Sequence, residues 1–223
     1  MAETSLLNEI ERADVAAAAK AGEHRHDSVV RAAGAMAKGA DQPPMFTLAS
    51  AVLGAGLAIG SPRAAEAGGR MLVALAVATA VKAAVKASVV RTRPNVLWDQ
   101  GRYETGLWGP NEAPWNSFPS GHTANAVAVA RAVGRVVPEA RPALWALAAV
   151  AGGVQVPRGA HHPLDVAAGH WWAGPRRRWR TGPGRWPRRC LARRWRRCMG
   201  RAMSGRGGRA RRAGSRRRRC VAG

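Results

Sequence analysis

"RMLVALAVATAVKAAVKASVVRTRP", Arg70 to Pro94, opens with an uncharged apolar run and then spaces Lys82, Lys86 and Arg93 along its second half. It holds no glycine, and no proline before its last residue, and alanine dominates it, so it reads as a helix ending near Pro94. Lys86 and Arg93 lie seven residues apart; on one continuous helix that is two turns, which puts both cations on one face. Cations near a helix C-terminus also simply complement its dipole.

On the N-terminal side, Met45 to Gly60, "MFTLASAVLGAGLAIG", is an uncharged helical run, and "SPRAAEAGG" after it reads as a turn. Residues 5–37 read as one or two amphipathic, alanine-rich surface helices, broken near Gly22 and ended by "KGADQPP". On the C-terminal side, Asn95 to Phe118 is rich in Trp, Gly, Pro and Asn without useful periodicity. It reads as a long loop, and such a loop in a compact domain is more often functional than accidental. Two more helical runs follow, "SGHTANAVAVARAVGRVV" and "PALWALAAVAGGVQV", joined by a "PEAR" turn. The expected organisation is surface helices over 1–44, an all-α bundle over 45–170, and a tail over 171–223.

A bilayer core asks for about 20 apolar residues per helix, and Met45–Gly60 and Arg70–Val81 are each shorter. A soluble alanine-rich bundle is the competing reading. Small-residue helices suit close packing in lipid. Trp98, Trp108, Trp115 and Trp171 flank the apolar runs like an interfacial belt. The reading therefore goes to a membrane-embedded bundle.

Charge is divided unevenly. Of 36 Lys and Arg, 20 are arginines at or after Arg176, where no Asp, Glu or Lys occurs; residues 1–175 carry 16 basic and 13 acidic side chains. The formal +23 thus belongs to the tail. Cys190, Cys198 and Cys220 also lie there, spaced for neither a zinc site nor a redox pair. The N-terminus lacks the basic-then-apolar order of a cleaved signal peptide.

Three clusters carry chemistry. The first is "KASVVRTRP", with Lys86 and Arg93. In the second, "FPSGHTANA", Pro119, Ser120 and Gly121 precede a helix whose first turn holds His122. Ser120 is a good cap, and a glycine with free helix-start amides suits an anion; an imidazole beside it suits proton donation to a departing oxygen. The third is "VQVPRGAHHPLDV", where His161 stands four residues before Asp165. A carboxylate on one imidazole nitrogen fixes the tautomer and frees the other nitrogen.

Taken together, Lys86…Arg93-Pro94, Pro119-Ser120-Gly121-His122 and His161…Asp165 resemble the three-part signature of the type 2 phosphatidic acid phosphatase and vanadium haloperoxidase superfamily. The resemblance covers about residues 45–170 and implies an all-helical bundle, most often an integral membrane phosphatase of lipid phosphates or diphosphates. It implies that Lys86 and Arg93 grip phosphate oxygens while Ser120 and the Gly121 amide complete the cradle. His122 protonates the leaving group, His161 attacks phosphorus to give a phosphohistidine, and Asp165 orients His161. No metal or other cofactor is implied. His162 competes with His161, but only His161 has the four-residue spacing to the acid.

Two departures stand out. The family's third cluster has an arginine six residues before the nucleophile, where this chain has Gln155. Losing a charge-assisted bidentate contact costs up to a few kcal/mol, so impaired or altered turnover is expected; Arg158 is a possible substitute. The second departure is the tail. Where the family continues into an apolar helix after Gly169, this chain turns to "HWWAGPRRRWRTGPGRW". It reads as a nucleic-acid or anionic-lipid arm, as a solvated tail, or as the product of a frameshift, because GC-rich Arg and Trp codons become Ala, Leu and Val codons one base earlier.

The expected partners are a lipid phosphate or diphosphate and membrane lipids, with no specific nucleic acid. The resemblance implies the cytoplasmic membrane of a bacterium, with the site facing outward. Vanadate-dependent halide oxidation and non-catalytic anion or nucleic-acid binding through the tail are the alternatives.

Overall fold

The structure is a computed structural model that describes residues 2–109, 112 and 114–172. Among them are eight α-helices: α1 (Ala2–Gly22), α2 (Ser28–Ala37), α3 (Gln42–Ala58), α4 (Pro62–Ser88), α5 (Pro94–Gln100), α6 (Gly121–Val136), α7 (Arg141–Gly153) and α8 (Pro163–Trp172). Strands β1 (Val89–Arg91) and β2 (Thr105–Leu107) pair antiparallel, with Val90 opposite Gly106. The expected all-α class holds, with this short ribbon added.

The "SPRAAEAGG" stretch is helix rather than turn. Ser61 accepts a bond from the Ala64 amide at 3.4 Å and Pro62 occupies the first helical position; this pairing of cap and proline starts a helix. α3 and α4 then pack almost backbone to backbone. A Cβ on Gly56 would meet the Ala65 nitrogen at 2.3 Å, and one on Gly68 the Leu53 nitrogen at 2.4 Å. Small residues permit that approach.

Most of α6 is buried. One side, Ala126, Val127 and Ala130, packs with Ala148 and Ala151 of α7 and with Ala40. The other, Val129 and Ala132, packs with Met71 and Leu75 of α4 and Ala49 of α3. The buried side chain of Asn125 is tied to the Ala40 carbonyl at 3.1 Å. α6 is thereby fixed between α4 and α7.

Four expectations change. First, the stretch after Pro94 is not all loop: α5 and β2 lie within it. Second, Lys86 and Arg93 do not share a helix face, because α4 stops at Ser88 and the chain runs extended through β1. Third, α1 is more than a surface helix, since Asp14 and Ala18 are buried. Fourth, Trp98 is a wedge rather than part of a belt: Cβ atoms on Gly22 and Gly159 would each strike its ring, at 2.4 and 2.5 Å. Trp108 and Trp171 are exposed.

Among the described residues α4 is the one helix long and apolar enough to cross a membrane. Leu48, Leu57, Val73, Val77, Leu147 and Val150 are exposed on α3, α4 and α7. α8 continues past Gly169 to Trp172. The arginine-rich tail, its cysteines and the frameshift reading lie outside the described residues.

Candidate functional site

The chain reversal after α4 brings the first cluster onto the loop before α6. Lys86 donates from Nζ to the Asn116 carbonyl, and Arg93 donates to the Asn116 side-chain oxygen at 3.1 Å. Asn116 thus holds both cations, which helix spacing alone would not do. The isolated bridge between Arg91 and Asn116, with the Ser117 amide donating to the Arg91 carbonyl at 2.9 Å, fixes this loop against β1.

Ser120 caps α6, its Oγ accepting from the Thr123 amide at 3.5 Å and from the Thr123 hydroxyl at 3.0 Å. Its own amide donates to the Asp165 carbonyl at 3.0 Å, which joins the start of α6 to α8. A Cβ on Gly169 would lie 2.7 Å from the Ser120 carbonyl oxygen, so this contact needs glycine. A Cβ on Gly121 would meet the Lys82 side chain at 3.2 Å. Lys82 therefore stands at the start of α6, one turn before Lys86.

His161 is 4 % exposed and Asp165 fully buried. Their closest approach is 3.7 Å, Nδ1 to Oδ2, beyond hydrogen-bond reach, and Nδ1 has no hydrogen-bond partner among the described residues. The carboxylate is instead held by others. Arg91 donates to Oδ1 at 2.7 Å, while the Ser117 hydroxyl at 2.5 Å and the His162 amide at 2.8 Å donate to Oδ2. Burial pushes the Asp165 carboxyl up, yet His161, Arg91 and Ser117 together hold it well below the usual carboxylate range. Burial lowers His161 below the ordinary histidine range; Asp165 opposes this, and the charges of Lys86 and Arg93 add to it.

His122 lies with Nε2 2.9 Å from Asp41 Oδ1. The charges of Arg158, Arg93 and Lys82 all reach it. Arg93 thus acts on both imidazoles, together with Lys86 on His161 and with Arg158 and Lys82 on His122. Arg93 Nε is buried and without a hydrogen-bond partner among the described residues. Buried donors are nearly always satisfied, so Arg93 Nε is a donor that a ligand oxygen could take up.

His162 is turned away from this group. It is fully buried, with Nε2 3.1 Å from the Thr92 carbonyl and its ring edge-on to Tyr103. Gln155 is also fully buried; its amide nitrogen donates back to the Ala151 carbonyl at 2.9 Å and its side-chain oxygen has no partner among the described residues. Its backbone carbonyl accepts from Ala160 and His161, so the turn survives the change of side chain. Arg158 packs against α2, donating to the Gly34 carbonyl at 3.3 Å.

Residues 67–174 match the model of the PAP2 superfamily. This segment belongs to the superfamily. No curated protein and no solved structure matches it. Membership supports phosphatase-type chemistry in general. The matched segment contains all three clusters but excludes α1 and α2.

Sequence reading missed Asn116, Ser117, Arg91, Asp14 and Asp41. Three of these carried a local signal: Arg91 sits inside the first cluster, and Asn116-Ser117 immediately precedes "FPSGH".

Proposed function

We propose that the chain is a membrane phosphatase that hydrolyses lipid phosphomonoesters or isoprenoid diphosphates through a phosphohistidine. The observation that carries this is the pairing of Lys86 and Arg93 on Asn116, both of whose charges act on His161, an imidazole beside a fully held carboxylate. Lys86, Arg93, Ser120 and the Gly121 amide take the phosphoryl oxygens. Convergent cations and amides stabilise the charge that a loose phosphoryl transition state spreads over those oxygens.

His161 uses its Nε2 lone pair, since Nδ1 faces Asp165. The new N–P bond forms as the P–O bond to the lipid alcohol or phosphate breaks, and His122 gives the departing oxygen its proton. Water then attacks phosphorus, His122 takes the proton back, and the N–P bond breaks to release inorganic phosphate. Burial supports this role by keeping His161 neutral, and so nucleophilic, below the pH at which a free histidine is half protonated. The apolar length of α4 and the exposed apolar side chains of α3, α4 and α7 support a lipid setting.

The test is hydrolysis of short-chain phosphatidic acid and farnesyl diphosphate in detergent, with acid- and alkali-quench trapping of labelled phosphate on protein. An alkali-stable, acid-labile label lost in His161→Ala is expected. Turnover that survives His161→Ala removes the reading.

A further inference from the structure

Behind Asp165, on the side away from His161, lies a charge cluster that the three clusters do not include. Its centre is Arg91, 4 % exposed. One guanidinium nitrogen donates to Asp165 at 2.7 Å and the other to Asp14 of α1 at 2.6 Å. Glu11, one turn earlier in α1, accepts from Arg91 at 3.1 and 3.2 Å and from the Tyr103 hydroxyl. Asp14 uses its other oxygen to accept from the Leu164 amide at 2.9 Å, at the start of the helix that carries Asp165. α1 therefore grips α8 twice, once through Arg91 and once directly.

Burying three charged side chains, Asp14, Arg91 and Asp165, is costly unless each is paired and hydrogen-bonded. Hydrophobic packing of α1 would have served stability as well or better. The paired arrangement fixes the carboxylate itself. With Arg91 on Oδ1 and Ser117 and the His162 amide on Oδ2, Asp165 cannot rotate toward His161 or away from it. The charge felt by the imidazole is then that of Asp165 as moderated by Arg91, which Asp14 and Glu11 moderate in turn.

We propose that α1 belongs to the phosphatase machinery, with Arg91, Asp14 and Glu11 as positioning residues that fix Asp165 and set the charge it presents to His161. The inference rests on the reading of His161 and Asp165 as nucleophile and orienting acid. The other charged groups facing His161 are Lys86 and Arg93; Asp165 faces Arg91 and His161.

The signs separate positioning from mere support. Arg91→Gln removes a positive charge next to Asp165, leaves the carboxylate less neutralised and raises the pKa of His161. The acid limb of kcat/KM, which reports free-enzyme groups, then moves to higher pH. Asp14→Asn and Glu11→Gln remove negative charge, leave Arg91 more strongly on Asp165 and move the limb to lower pH. Shifts of up to about 1 pH unit are expected, with kcat about 10- to 100-fold lower in Arg91→Gln and KM little changed. Arg91→Lys, which keeps the charge, restores the pH profile but not the full rate.

The experiment measures pH profiles of the full chain on short-chain phosphatidic acid, well below each variant's melting temperature, beside the ring shifts of isotope-labelled His161 read by NMR. Glu11→Gln, at the partly exposed rim of the cluster, supplies the answer if either buried variant fails to accumulate. Wild-type profiles and ring shifts in folded variants, or shifts of one sign in all of them, overturn the proposal. Turnover surviving in His161→Ala overturns instead the catalytic reading beneath it, and the ring shifts still report whether α1 is coupled to His161.

Discussion

Gln155 is where this chain differs most from the arrangement that its three clusters imply. It is fully buried in the turn after α7, hydrogen-bonded back to that helix through Ala151, and leaves its side-chain oxygen unpaired among the described residues. A neutral side chain facing inward contributes no charge to a phosphoryl transition state, and Arg158, anchored on Gly34, acts only at a distance on His122. Gln155→Arg is therefore expected to raise kcat/KM about 10-fold or more by restoring a charge-assisted contact. Steady-state hydrolysis of short-chain phosphatidic acid measures this, and wild-type turnover already at its ceiling, with no gain, contradicts it. pH gives a second expectation at this scale. Burial depresses the pKa of His161, so the imidazole is neutral above that depressed value and protonates only as pH falls through it. Activity should persist into mildly acidic solution, with the acid limb below the ordinary histidine range. A limb at or above that range means the nucleophile is not buried as described.

The elements meet at glycines and at one asparagine. Gly169 of α8 lies so close to the start of α6 that a Cβ would sit 2.7 Å from the Ser120 carbonyl, which is backbone and cannot swing aside. Gly169→Val should push α8 from α6, displace Asp165 relative to Ser120, and cost about 1–3 kcal/mol as overpacking. A lower melting temperature together with lost turnover is expected; an unchanged melt refutes the contact. The clusters were legible in sequence because each lies at an element boundary marked by local chemistry: Pro94 starting α5, Ser120 capping α6, Pro163 starting α8. The ribbon was not, since three-residue strands show no alternation to read. The start of α4 was misread because "SPRAAEAGG" has the composition of a turn, yet Ser61 and Pro62 are a cap and a first helical residue. The role of α1 was illegible for another reason. Asp14 meets Arg91 and Leu164 across 77 and 150 residues of sequence, and no local pattern encodes such a meeting.

At the scale of the whole molecule, the bundle and the tail make opposite demands. The described helices expose aliphatic side chains on α3, α4 and α7, and Arg91 and Asp165 form a buried ion pair. Residues after Pro175 carry 20 arginines and no acid. If the bundle alone holds the chemistry, as the placement of all three clusters before Val166 suggests, removing the tail should leave hydrolysis intact and abolish most binding to polyanions. That binding is electrostatic and falls steeply with salt. The measurement is paired: turnover of short-chain phosphatidic acid, and heparin or DNA retention across a salt series, for the full chain and for residues 1–175. Retained turnover with lost retention assigns the two properties to separate parts. Lost turnover instead makes the segment after α8 part of the bundle, and the chain with its reading frame shifted one base after Gly169 then becomes the decisive comparison. An apolar continuation should exceed the natural tail in turnover and in resistance to alkaline extraction from membranes, because it would supply the apolar helix that the resemblance implies after Gly169. A shifted frame that meets a stop codon or yields no apolar run rules that out and leaves the arginines as the chain's own.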